Sequence, residues 1–215
     1  MLVLASASPR RRELLRLMGL PFVVRVPNVD EEPRRGERPS RYARRLALAK
    51  ARQIAAQLPP SGPACVIGCD TIVVVDGQIL GKPQTAEDAT RMLQGLSGRT
   101  HRVLSGLAVL VRRTTGGWRT YSRVVATRVT FRSLDPEEIR AYVRSGEPMD
   151  KAGAYGIQEG AAHFVRRVVG SYTNVVGLPL AELAELLRRV LPRGRSSQGE
   201  GSETTRKFPH SSLGK

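Results

Sequence analysis

Leu2-Val3-Leu4-Ala5-Ser6-Ala7-Ser8-Pro9-Arg10-Arg11-Arg12-Glu13-Leu14-Leu15 decides the fold class. Four apolar residues read as a buried strand, and a turn of small hydroxyl residues runs straight into a helix. Pro9 suits the first helical position, because its missing N–H would have no helical partner there. The free N–H groups and the positive dipole end of that helix then face outward beside arginine forks, an arrangement that suits an anion. It is neither the Gly-rich Walker nor the dinucleotide pattern, so these residues speak for an anion and not yet for a nucleotide. A capped amphipathic helix with a solvated arginine face, its stripe made by Leu14, Leu15, Leu17 and Met18, is the competing reading of the same letters.

Outward from this corner, strands and helices alternate. Residues 22–26 read as a strand, 30–39 as an exposed loop rich in Glu, Arg and Pro, and 39–57 as a helix with Tyr42, Leu46, Leu48, Ala51 and Ile54 at helical spacing. Residues 65–75 are almost continuously β-branched, as in a central strand covered on both faces, with Asp70 inside the run. Asp76-Gly77 is a hairpin turn. A helix over 85–96 carries Glu87 and Asp88 in its first turn, residues 97–101 form a loop, and strands at 103–111 and 118–129 meet at Gly116-Gly117. A helix over 135–145, a long loop, a strand at 163–169 and a helix over 179–190 complete the body. The class is α/β with a mixed sheet. Beyond Leu191 the chain is Gly, Ser, Arg, Lys and Thr with almost no apolar content, so residues 192–215 are expected to form a disordered basic tail.

The chain of 215 residues is long enough for one core. No apolar run approaches a membrane span and no signal peptide is recognisable, so a cytoplasmic protein is expected. Cys65 and Cys69, the only cysteines, exclude a disulfide framework and make a poor zinc site, and both read as core residues. A formal charge of +16 with a pI near 11.1 leaves nucleic-acid binding open as a minority reading. The arginines are scattered, however, and aromatics for base stacking are only 5% of the chain.

Eight blocks then occur in order: S-A-S-P-R-R-R-E-L-L, V-D-E-E-P, A-x-x-K-A from Ala47 to Ala51, G-C-D-T-I-V, G-K-P, L-S-G-R-T-H, D-K-A-G-A-Y-G-I-Q and Y-T-N-V-V-G-L-P. Together they cover residues 2 to about 191 and resemble the Maf-type nucleoside triphosphate pyrophosphatases. The D-T-I-V and A-G-A-Y-G-I-Q forms are similar to the branch acting on dTTP and UTP. The resemblance implies an elongated, twisted mixed sheet flanked by helices, with two lobes around a deep nucleotide cleft. It implies hydrolysis between the α and β phosphates with a divalent metal, Mg or Mn, by a homodimer that clears surplus or noncanonical nucleotides and has a link to septum formation. A regulator of division that binds nucleotide or nucleic acid in the same cleft without turnover is the alternative.

The resemblance also implies roles for particular residues. Asp70, costly in an apolar strand unless paired, metal-bound or catalytic, would accept the proton of the attacking water. Glu31 would join it as metal or water ligand, with Asp30 and Glu32 as solvated neighbours. Lys82, between Gly81 and Pro83, is the third catalytic candidate, a held ammonium against a triphosphate gaining charge. Ser6, Arg10 and Lys50 would bind the substrate, and Arg12 would stay on the surface. Arg11, Thr71 and Gln158 map to positions that choose the base. Arg99, Asp150 and Lys151 are secondary candidates, His101 reads as structural, and Tyr172-Thr173-Asn174 is expected to shape the cleft wall. Glu159 departs from a glycine common in the family.

Overall fold

The structure, a computed structural model, describes residues 1–62 and 64–190; the tail expected over 192–215 lies outside them. The chain runs β1 (Leu2–Ala5), α1 (Pro9–Arg16), β2 (Val23–Arg25), α2 (Pro39–Ala56), β3 (Cys65–Val75), β4 (Gln78–Leu80), α3 (Ala86–Leu96), β5 (Thr100–Arg112), β6 (Trp118–Phe131), α4 (Pro136–Arg144), β7 (Val165–Val169), α5 (Tyr172–Val176) and α6 (Leu180–Val190). Between α4 and β7 the backbone makes three short 3-10 turns over Glu147–Asp150, Ala152–Ala154 and Gly160–Phe164.

Local chemistry explains the element ends. Ser8 caps α1 by accepting from the Arg11 N–H, Thr85 caps α3 through the Asp88 N–H, and Asp135 and Glu138 form a reciprocal capping box on α4. Asp76 and Gly77 both have positive φ, as the tight turn between β3 and β4 requires. Several boundaries differ from the sequence reading: β6 runs on to Phe131, β7 begins at Val165 after a 3-10 turn, and residues 172–176 form the short helix α5. Thr100 and His101 are not loop but the first residues of β5, paired with Thr130 and Val129, because the sheet ladder resumes directly after α3.

The seven strands form one mixed sheet in the order β2-β1-β3-β5-β6-β7, with β4 also on β3. β2, β1 and β3 are parallel; the remaining pairs are antiparallel. β3 positions the site. β5 covers one side of it along most of its length, while on the other side β1 pairs with residues 65–68 and β4 with residues 73–75. Cys69, Asp70, Thr71 and Ile72 therefore have no strand on that side, and the sheet edge is notched there.

Alternation sends successive β3 side chains to opposite faces. Val66, Gly68, Asp70, Ile72 and Val74 face α2, whereas Cys65, Ile67, Cys69 and Val73 pack into the larger core with residues of α1, α3, α4 and α6. Two glycines set how close α2 lies. A Cβ at Gly68 would sit 2.2 Å from the Ala47 carbonyl oxygen, and one at Gly106 would sit 2.1 Å from that of Ala43. These contacts hit backbone, so α2 must move if either glycine gains a methyl. Gly68→Ala and Gly106→Ala are each expected to cost about 1–3 kcal/mol, seen as a melting temperature several degrees lower. An unchanged melting temperature in both would show that α2 has room to spare.

Candidate active site

The notch opens into a cleft of about 680 Å³ lined by Ser6, Arg10, Arg11, Glu31, Lys50, Asp70, Thr71, Lys82, Asp150, Lys151 and Gln158, among others. At its floor lies a three-membered charge array. Asp70 is only 6% exposed, and its Oδ1 lies 2.5 Å from Nζ of Lys50. The same ammonium lies 2.7 Å from Glu31 Oε1. Lys50, itself 7% exposed, reaches both because it sits on the face of α2 that the two glycines bring against the sheet. Asp70 Oδ2 has no hydrogen-bond partner among the described residues.

The acidic loop over 30–38 is less free than its composition implies. The Tyr42 hydroxyl donates to the Glu31 carbonyl at 2.7 Å, and burial, reinforced by the charges of Asp70 and Glu31, pushes that hydroxyl up to about 12, so it remains a donor. Arg45 grips both carboxylate oxygens of Glu37 at 2.8 Å and donates to the Glu32 carbonyl at 3.0 Å; that grip holds the Glu37 carboxyl below the usual range. Glu31 is thus delivered to Lys50 by two anchors on α2.

The β1–α1 corner forms a second wall. Ser6 is buried, and its Oγ accepts from the Ser8 N–H at 3.1 Å and from Arg11 Nη1 at 3.4 Å. Arg11 donates from Nε to the Gly177 carbonyl at 2.8 Å and from Nη2 to Thr71 Oγ1 at 3.2 Å. Arg10 points instead to the opposite lip, where its Nη1 lies 3.3 Å from Asp150 Oδ2 and 3.7 Å from Glu159 Oε1.

That lip is the segment between α4 and β7. Buried Lys151 binds Asp150 at 2.8 Å, Glu159 at 2.9 Å and the Glu147 carbonyl at 2.7 Å. For Asp150, burial alone would raise the carboxyl; the hydrogen bond from Lys151 and the charge of Arg10 outweigh it and hold the group below its ordinary value. Gly153 has φ +72°, and its N–H donates to the Gly81 carbonyl at 2.9 Å. A Cβ there would meet Val73 at 2.8 Å, so the glycine both turns the lip and lets it approach β3. The lip is thereby tied to the segment that carries Lys82. Lys82 and Gln158 are exposed, and among the described residues neither side-chain head has a partner.

Arg99 is outside this cleft. Its guanidinium holds Asp76 at the β3–β4 turn at 2.7 Å and donates to the Gly95 carbonyl, which is a structural tie between a hairpin and the end of α3. Asn174 shapes the wall only indirectly: it is fully buried, and its amide donates to the Val103 carbonyl and Thr127 Oγ1, leaving Val175, Val176 and Gly177 on the cleft. Cys65 and Cys69 are buried thiols, the former pushed up to about 12 by burial, so neither is a ready nucleophile. Tyr42, Glu159 and Gly177 are cleft residues that the sequence did not single out for chemistry; a Tyr, an acid and a glycine carry no local signal of where their chains will fold.

Behind the cleft, Tyr155 shares a 2.8 Å hydrogen bond with Nε2 of His101, and both rings stack edge-to-face with Phe131. His101 is 1% exposed, and burial pushes its pKa down to about 4. The unfolded chain takes up this proton near 6.5, whereas the folded protein does not until about pH 4. Stability is therefore lost as pH falls through that window, by about 3 kcal/mol at its lower end, and is untouched above it. Denaturant midpoints between pH 7.5 and 4.5 should show this slope, and His101→Phe should flatten it; the same slope in both proteins would assign it to other groups.

Among the described residues the cleft carries five basic side chains, Arg10, Arg11, Lys50, Lys82 and Lys151, and five acidic ones, Glu31, Glu32, Asp70, Asp150 and Glu159. No group of three or more His, Cys, Asp or Glu is placed to hold a metal ion among the described residues. Glu31 and Asp70 fit a different kind of site, in which Mg²⁺ takes one or two carboxylates and completes its shell with substrate phosphates and water.

The sequence has close relatives. The chain is 52% identical over 186 residues to the dTTP/UTP pyrophosphatase of Moorella thermoacetica, a match covering 86% of this chain and 93% of that one. It is 52% identical over 189 residues to the dTTP/UTP pyrophosphatase of Geobacter sulfurreducens, covering 88% and 96%. Among solved structures, the Staphylococcus aureus Ham1 protein aligns over 87% of this chain and 98% of its own, with 13% identity and a TM-score of 0.41. Residues 1–190 match the family model described as Maf-like protein, and the chain belongs to that family.

Proposed function

We propose that this protein is a nucleoside triphosphate pyrophosphatase that hydrolyses dTTP and UTP to the monophosphate and pyrophosphate, clearing surplus or modified nucleotides from the pool. The observation that carries this reading is Asp70, buried in a largely apolar strand, with Oδ1 held by Lys50 and Oδ2, at the cleft, without a partner among the described residues. A fixed carboxylate with one free oxygen can take the proton of a water that attacks the α-phosphorus. Lys50 orients both Asp70 and Glu31, so in this reading it acts on the carboxylates as well as on the phosphates. Lys82, whose ammonium has no partner among the described residues, meets the charge that builds on the leaving pyrophosphate, and Arg10 exchanges Asp150 and Glu159 for phosphate oxygens. Ser6 lines the corner where the phosphates enter.

Arg11, Thr71 and Gln158 are assigned to the base. Uracil and thymine present two carbonyl acceptors and one N–H, and the free Gln158 amide can serve both kinds. A divalent cation, Mg or Mn, is part of the proposal: the five acids in the cleft cancel its five bases, leaving the substrate's charge unmet. Bound by Glu31 and Asp70, the ion would supply that positive charge and Lewis acidity. A cytoplasmic homodimer is the setting that the family resemblance supports. No helix among the described residues is long and apolar enough to cross a membrane.

The test is a panel of common and modified nucleoside triphosphates with Mg²⁺ or Mn²⁺, reading pyrophosphate separately from phosphate. Pyrophosphate from dTTP and UTP is the expected product. Phosphate in its place would move the cleavage to the β–γ bond, and no product from any triphosphate would leave a nucleotide-binding protein.

A further inference from the structure

Thr71 lies in the cleft, yet its hydroxyl is already engaged by the protein. Oγ1 lies 2.8 Å from Ser105 Oγ, 3.2 Å from the Gly177 carbonyl and 3.2 Å from Arg11 Nη2. A hydroxyl has one hydrogen to give and two lone pairs to offer. Arg11 can only donate, so it takes one lone pair. If Ser105 donates to Thr71, the second lone pair is used and the Thr71 hydrogen goes to Gly177. If Ser105 donates to the Asn174 carbonyl, 3.4 Å away, the Thr71 hydrogen goes to Ser105. In both arrangements the hydrogen of Thr71 stays within the protein, and no donor remains for a carbonyl of a base.

Ser105 decides between these arrangements. It stands opposite Thr71 in the β3–β5 register and is completely buried. Its side chain cannot reach a ligand. Thr71 in turn holds Arg11, whose Nε shares the same Gly177 carbonyl at 2.8 Å. We infer that Ser105 is a positioning residue for base selection, acting through Thr71 to hold Arg11 and the Gly177 carbonyl in place. The inference rests on the pyrimidine reading above and refines it: Thr71 is a strut, and Arg11 and Gln158 are left to meet the base.

Without the Ser105 hydroxyl at 2.8 Å, only the longer 3.2 Å contact to the Gly177 carbonyl is left to take the Thr71 hydrogen, so the hydroxyl is held less firmly and can turn to donate to the cleft or accept from it. A cytosine edge, with its acceptor at N3 and donor at N4, then meets less opposition. The experiment is steady-state pyrophosphate release from UTP and CTP by the full chain, its Ser105→Ala and Thr71→Val variants and the double variant. The expected result is a five- to tenfold fall in the UTP-to-CTP ratio of kcat/KM in Ser105→Ala, mostly through KM. The double variant should match Thr71→Val alone, because the pathway runs through that hydroxyl. An unchanged ratio in Ser105→Ala, or effects of the two single variants that multiply, would overturn the inference. If Ser105→Ala does not fold, Ser105→Cys, which keeps a weaker donor, should give a smaller shift of the same sign, and no shift there counts against it. Wild-type protein that releases pyrophosphate from neither dTTP nor UTP would instead remove the pyrimidine reading, and this inference with it.

Discussion

Asp70→Asn is expected to lower kcat for dTTP and UTP by about a thousandfold while the protein stays folded. The substitution keeps the size and one acceptor oxygen of the side chain but removes the base. In the structure Asp70 Oδ1 is committed to Lys50, and only Oδ2 is available to a water. Asparagine, with its amide oxygen accepting from Lys50, puts an NH2 donor in the place of Oδ2, and neither group can take a proton. Lys50 still has Glu31 at 2.7 Å, so the buried ammonium is not stranded. The melting temperature should therefore shift little beside the loss of turnover. Single-turnover pyrophosphate release and a thermal melt check both halves. Turnover within tenfold of wild type would remove Asp70 from the chemistry and leave it a structural partner of Lys50.

Lys50→Met should have the larger effect on stability. Lys50 is the only basic group within ion-pair distance of Asp70 among the described residues, and both are almost fully buried. Methionine fills the same volume but leaves Asp70 and Glu31 facing one cavity without a cation. Breaking a buried pair by removing one partner costs about 3–5 kcal/mol, because the remaining charge has lost water and gained nothing. For a chain of this size, that corresponds to a fall in melting temperature of about ten degrees. The double substitution Lys50→Met with Asp70→Asn should recover much of it, since the stranded charge is gone. Denaturant midpoints of the three variants decide the point; a Lys50→Met protein as stable as wild type would mean that water reaches Asp70 freely. Activity should be absent in both proteins, as neither retains the array that orients Glu31 and Asp70.

Much of this was legible in the letters because it depends on neighbours in sequence. Pro9 and Ser8 start a helix wherever they stand before an apolar stripe, and Asp76-Gly77 closes a hairpin because both residues accept positive φ. An Asp inside a β-branched run announces a special site, since the cost of burying it is a local property of that run. The order of the motif blocks extended this to the family and to a candidate residue set, most of which lines one cleft.

Arg99 shows where such reading stops. It sits in a strong motif block, yet it serves the β3–β4 turn, where its guanidinium is held by Asp76, a residue 23 positions earlier that only the fold brings beside it. Lys50 reads as a phosphate ligand from its block, but its neighbours in the structure are two carboxylates. Gly68, Gly106 and Ser105 carry no signal of their own. Their importance comes from what lies across the sheet: a helix carbonyl about 2 Å from a missing Cβ, or a threonine hydroxyl 2.8 Å away. By itself the sequence determined most of the elements, the corner that opens α1, the carboxylate in β3 and the family. Only the tertiary structure decided that β1 and β4 leave residues 69–72 uncovered, that α2 lies close enough for Lys50 to join Glu31 to Asp70, and that the Thr71 hydrogen is already taken. Strand register, helix approach and hydrogen-bond saturation are relations between residues far apart in the chain, and they exist only once the sheet has formed.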